Sequence, residues 1–87
     1  MTTTDAIRAA VLRCLSEVVP EADVARLRPD VSLRQQLDID SMDFLNFLLA
    51  IDASLKVEIP ESDYARFDTL DGSVAYLDTT LQALRRP

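Results

Sequence analysis

Ser41 is flanked by Asp40 and Met42, and two further acids, Asp38 and Asp43, lie within three residues of it. Such a cluster suggests three kinds of chemistry: a nucleophilic serine, a cation site, or a hydroxyl that another enzyme modifies. The chain has no histidine and a single cysteine, Cys14. A Ser–His or Cys–His catalytic pair is therefore excluded, and zinc loses its usual nitrogen and sulfur ligands. Calcium fares no better. An EF-hand loop opening at Asp38 needs Asp or Asn where Met42 stands, glycine where Asp43 stands and a closing glutamate where Leu49 stands.

What remains is the Ser41 hydroxyl. Serines beside aspartates open helices in all kinds of proteins, so an isolated Asp-Ser pair carries little information. A serine in a first helical turn is equally suited to bear a phosphate ester, because unpaired backbone N–H groups and the helix dipole both favour an anion there. Position alone is compatible with both readings.

The elements that must place Ser41 follow from periodicity. Ile7, Val11, Cys14, Leu15 and Val18 form one face of a first helix over residues 4–18. Thr3 or Thr4 can cap it and Pro20 ends it. Cys14 falls on the apolar stripe, as a small buried hydrophobe. Residues 20–39 have weak periodicity and two prolines. They read as a long loop with one short helical turn near Asp23–Leu27, pinned by Val24, Leu27, Val31, Leu33 and Leu37.

A second helix starts at Asp40, with Asp43 in capping-box position, and runs to about Leu55. Eight of the ten residues from Met42 to Ile51 are apolar. Pro60 opens a short third helix over Glu61–Arg66. Thr69 caps a last helix with a stripe of Leu70, Val74, Leu77, Leu81 and Leu84, and Arg85 and Arg86 suit its negative end. Gly72 lies in its first turn, where its low helix propensity is tolerated. The expectation is an all-α fold: a small four-helix bundle with three longer helices, one short helix and a long loop between the first two. Expected core residues are Ile7, Val11, Leu15, Leu45, Leu49, Leu55, Val74, Leu77 and Leu81. Phe44, Phe47, Leu48 and Leu49 span so much of the second helix that one face cannot bury them all, which predicts an apolar cleft or an exposed patch.

The 87 residues make one domain, expected to span residues 1–87. A lone cysteine forms no internal disulfide, the N-terminus lacks the pattern of a signal peptide, and no apolar run approaches a membrane span. A cytoplasmic monomer is expected. The net charge of −6 is unevenly spread. Residues 38–71 hold nine acids against Lys56 and Arg66, a net −7 around Ser41. That field repels nucleic acid and attracts basic protein surfaces; it also keeps a small protein soluble.

The run VSLRQQLDIDSMDFLNFLLAID, followed by KVEIPES and FDTLDGSVAYL, resembles the acyl carrier proteins over about residues 5–82. Leu33, Leu37, Asp40–Ser41–Met42, Ile59–Pro60 and Thr69 stand in register with that family's features. The resemblance implies a freestanding, non-enzymatic carrier with 4′-phosphopantetheine on Ser41. A separate phosphopantetheinyl transferase, using coenzyme A and magnesium, would attach it, and acyl-transferring or acyl-activating enzymes would be the other partners. It further implies that Asp40 orients the helix start and is read by the transferase, and that Asp38, Met42 and Asp43 border the site and touch partners. Several positions depart from the family's habit. Asp38 stands where a glycine is usual, Gln35 and Gln36 where acids are common, and Asn46, Asp52 and Ala53 where glutamates often face partners. These departures predict a specialised lipid or secondary pathway. The alternatives are a carrier of an activated amino acid, of D-alanyl or peptidyl type, and an unmodified helical interaction module.

Overall fold

The computed structural model describes residues 3–85, and all regular structure among them is helical. The longer helices are α1 (Thr4–Val18), α3 (Ser41–Leu55) and α4 (Leu70–Arg85). Between α1 and α3 lie a 3₁₀ turn, Val24–Arg26, and a five-residue helix, α2 (Leu33–Leu37). A 3₁₀ segment, Glu61–Phe67, links α3 to α4.

Each α-helix start is set by a side-chain cap, whereas the two 3₁₀ segments have none. The Ala6 N–H donates to Thr3 Oγ1 at 3.1 Å, and the Gly72 N–H donates to Thr69 Oγ1 at 2.9 Å. At the α1 exit the Val19 N–H donates to the Leu15 carbonyl at 2.8 Å, and Pro20 follows.

Helix α1 packs on α3 and α4, and the Glu61–Phe67 segment packs on α4. Ile7, Val11, Cys14 and Leu15 meet Phe47, Leu48 and Ile51 from α3 and Leu70, Val74 and Leu77 from α4, all buried. Burying a side chain of this size stabilises by about 1.5–3 kcal/mol. Phe67 closes one end, with its ring edge-on to Tyr76 at 4.9 Å between centroids. The Tyr76 hydroxyl donates to Asp63 Oδ2 at 2.6 Å. Runs of 3₁₀ helix beyond three or four residues are uncommon, and this seven-residue run has no side-chain cap. Phe67 and Asp63 hold it down on α4 instead.

Two expectations need correction. Leu45 and Leu49 are 36% and 54% exposed and so lie outside the core. Phe44, Phe47, Leu48 and Ile51, at i, i+3, i+4 and i+7, form the inward stripe of α3. With apolar residues nearly all round the helix, periodicity could not tell the two faces apart. Leu55 and Leu81 are packed against the core but only partly buried.

The loop before α3 is also more ordered than expected. The short turn at 24–26 is present, and a further helix, α2, occupies Leu33–Leu37 where only loop is expected. Ser32 Oγ accepts from the Gln35 N–H at 3.3 Å, a capping geometry spelled out by Ser32-Leu33-Arg34-Gln35. Leu33 is fully buried, and the segment is sewn to the rest by its backbone. The Leu33 N–H donates to the Asp68 carbonyl at 2.6 Å, and the Asp71 N–H donates to the Pro29 carbonyl at 3.0 Å. Gln36 Nε2 donates to the carbonyls of Arg28 and Val31 at 2.8 and 3.0 Å, while its Oε1 accepts from the Arg28 N–H at 3.0 Å. A polar side chain thus fixes a loop whose apolar periodicity is too weak to do so.

Candidate functional site

Helix α2 ends at Asp38, which adopts the left-handed conformation (φ 52°, ψ 47°). That region favours glycine, and aspartate is among the few other residues that enter it readily. The Asp38 N–H and the Ile39 N–H both donate to the Arg34 carbonyl, closing the turn. Asp38 therefore does conformational work that a glycine commonly does, and adds a charge while doing it. The reversal lets α3 begin three residues later.

Asp40 is the N-cap of α3. Its Oδ1 accepts from the Asp43 N–H at 2.8 Å, and its carbonyl accepts from the Phe44 N–H at 3.0 Å. Ser41 is the first helical residue and is exposed. First-turn N–H groups of a helix lack intrahelical partners and form its positive end, which favours an anion. Met42 is 64% exposed and Asp43 half-buried. Asp38, Asp40, Ser41, Met42 and Asp43 are thus gathered in the turn and first helical residues at one end of α3.

The structure adds a residue that sequence reasoning missed. Arg34 Nη2 donates to Ser41 Oγ at 3.0 Å. Its guanidinium carbon lies 5.7 Å from the centroid of the Phe44 ring, a cation–π distance. Seven residues separate Arg34 from Ser41, a spacing without meaning until α2 and the left-handed turn bring the two together. The Ser32–Gln35 capping signal was the clue available in the sequence.

Beside this pair lies an open cleft of about 540 Å³ lined by Ser32, Arg34, Gln35, Ile39, Phe44, Ala65 and Asp68. Its walls mix amide, hydroxyl and charged groups with the faces of Ile39, Phe44 and Ala65. An exposed primary hydroxyl at a helix head, an adjacent guanidinium and a mixed cleft fit a phosphate-rooted, amide-bearing arm. The other nucleophile does not compete: Cys14 is buried between α1 and α3, and desolvation pushes its thiol pKa up.

The family model described as "Phosphopantetheine attachment site" matches residues 9–77, most of the chain. The chain belongs to that family. Phosphopantetheine is the family's cofactor, and its members are carriers. Relatives named "Acyl carrier protein" agree with this over nearly their whole length. The protein of Helicobacter hepaticus is 26% identical over 78 residues, covering 90% of this chain and 96% of the relative. That of Campylobacter jejuni subsp. jejuni serotype O:23/36 is 28% identical over 78 residues, covering 90% and 95%. That of Micrococcus luteus is 28% identical over 71 residues, covering 78% and 88%. The all-helical fold is that expected from this resemblance.

Proposed function

We propose that this carrier holds acyl thioesters on a 4′-phosphopantetheine arm attached to Ser41, and that it serves a specialised lipid or secondary pathway. The observation that carries the reading is the placement of an exposed Ser41 hydroxyl at the head of α3, behind the Asp40 cap and beside the cleft. The protein itself performs no bond-making. In the transferase, a pyrophosphate P–O bond of coenzyme A is exchanged for a Ser41 Oγ–P bond. The nucleotide leaves with the electron pair, and the hydroxyl proton passes to a base of that enzyme. Asp40 keeps the helix head formed, and Asp38, Met42 and Asp43 are the contacts offered to partners. The carrier works as a cytoplasmic monomer with residues 1–87 as one domain.

The specialised role is supported by the outer face of α3. Met42, Leu45 and Leu49 recur at i, i+3 and i+7 and are exposed, forming an apolar strip that starts beside Ser41. Asn46 and Ala53, both exposed, stand where related carriers often present acids. Such a face suits a dedicated partner with an apolar contact patch better than one that reads glutamates. Incubation with a broad-specificity phosphopantetheinyl transferase and coenzyme A is expected to add one phosphopantetheinyl group by intact mass, and Ser41→Ala to abolish it. Addition to the alanine variant, or none to the native chain under conditions that modify another carrier, rejects the attachment.

A further inference from the structure

We propose that Arg34 is the counter-charge of the phosphodiester at the root of the arm, a positioning residue brought to Ser41 by the turn before α3. The proposal rests on Ser41 being the attachment residue. Ser41 is crowded by like charge: Asp38, Asp40 and Asp43 all lie within three residues, and the segment 38–71 is net −7. A phosphodiester added here brings a further negative charge to that cluster. Among the described residues, Arg34 is the cation in hydrogen-bond contact with the hydroxyl, at 3.0 Å.

Its geometry suits a phosphate better than it suits a hydroxyl. A guanidinium has five donors in a planar fork, and a serine oxygen uses one of them. Once esterified, Ser41 Oγ would be a bridging oxygen and a poor acceptor, while the anionic oxygens, two bonds beyond it on the phosphorus, would offer the fork better acceptors. Such charge-assisted, bidentate contacts are stronger than a neutral hydrogen bond. The guanidinium is also steadied beforehand. It lies over the ring of Phe44, which is only 9% exposed, and its backbone carbonyl anchors the left-handed turn at Asp38. The side chain best placed to meet the phosphate is thus held in position before the arm arrives.

The test compares unmodified and modified forms of the native chain, Arg34→Gln and Arg34→Lys, with intact mass first establishing one addition on each. If the native chain accepts no group, the Ser41 reading fails, and the Arg34 proposal falls with it. Where modification succeeds, denaturant unfolding measures how much the arm changes stability in each protein. The difference of differences removes any purely structural effect of losing the Arg34–Phe44 stack. Modification should favour folding about two- to five-fold more in the native chain than in Arg34→Gln at low salt, with Arg34→Lys between, and the margin should shrink near 0.5 M salt. The phosphorus NMR signal of the modified native chain should shift on Arg34→Gln. An equal effect of modification in native and Arg34→Gln proteins, or a phosphorus signal indifferent to the substitution, overturns the proposal.

Discussion

Ser32 Oγ donates to Asp68 Oδ1 at 2.8 Å, across 36 residues of sequence, while the Leu33 N–H donates to the carbonyl of the same aspartate at 2.6 Å. The start of α2 is thereby tied to the residue that follows the Glu61–Phe67 segment. Both residues also line the cleft beside Ser41. The floor of the site and the tether of the long loop are one structure. Asp68→Ala should cost about 1–2 kcal/mol of unfolding free energy, because a charge-assisted hydrogen bond is lost from a half-buried place. Asp68→Asn keeps an acceptor oxygen and should recover most of it. Equal losses in the two variants, read by urea midpoints, would show that the side-chain bond is not what holds α2.

Asp40 is asked to do two things, and substitution separates them. Asp40→Ala removes the acceptor for the Asp43 N–H and should destabilise the protein by about 1 kcal/mol. Asp40→Asn keeps the cap but not the charge. If the transferase reads that charge, the asparagine variant should be nearly as stable as the native chain yet be modified more slowly. Native modification rates in Asp40→Asn would confine Asp40 to capping.

Much of this architecture is legible in the sequence, and the failures have identifiable causes. The stripes of α1 and α4 recur at helical period on otherwise polar helices, so their inward faces are plain, although Leu84, at the end of the α4 stripe, is 66% exposed. The start of α3 is written in Asp40 and Asp43. Its inward face is not, because with Leu45 and Leu49 as apolar as Phe47 and Leu48 only packing chooses between them. Helix α2 hides because its stability comes from Gln36 and Asp68 rather than from an apolar stripe. The Arg34–Ser41 contact hides because it depends on a left-handed aspartate where the eye looks for glycine.

Gly72 shows how a residue that weakens a helix in isolation can be required by packing. A Cβ added there would sit 2.5 Å from the Arg66 carbonyl oxygen and 2.9 Å from Thr69 Oγ1. The first of these is backbone and cannot rotate away. Alanine is the better helix former by about 1 kcal/mol, yet Gly72→Ala should destabilise the protein by about 1–3 kcal/mol, since the turn between Phe67 and α4 must open. A thermal midpoint that rises instead would mean that the segment yields freely.

Alkaline pH should weaken the fold from a definite direction. The hydrogen bond to the Asp63 carboxylate, with burial and that same charge, holds the Tyr76 phenol above its ordinary pKa, and desolvation does the same for the Cys14 thiol. Both groups keep their protons more tightly folded than unfolded. Their contribution is complete below the unfolded values, about 8.5 for a thiol and about 10 for a phenol, and is lost as pH climbs through the higher folded ones. Urea midpoints should be level with respect to these two groups between about pH 7 and 8 and fall beyond about 9. Tyr76→Phe should remove the upper part of the decline. A midpoint unchanged up to about pH 11 would contradict the linkage.

The last prediction concerns what chooses the partner. Two features of α3 pull in different directions. The net −7 of residues 38–71 should draw a basic enzyme surface toward Ser41, whereas the exposed Met42, Leu45 and Leu49 strip should favour an apolar complement. Charge at this distance acts on the encounter rate and is screened beyond about 8 Å at physiological salt, so the on-rate with the transferase should fall as salt rises. The apolar strip acts at contact range and hardly responds to salt. A dedicated partner should therefore lose affinity mainly through faster dissociation when Leu49 is replaced by Gln. A housekeeping malonyl transferase, by contrast, should load the modified protein less well than it loads a typical fatty acid carrier. Placing glutamates at Asn46 and Ala53 should restore part of that loading, because it supplies acids at the positions such carriers often use. Equal loading of both carriers, with no gain from the glutamates, would show that α3 does not discriminate by charge. Partner choice would then rest on the apolar strip of Met42, Leu45 and Leu49 rather than on acids.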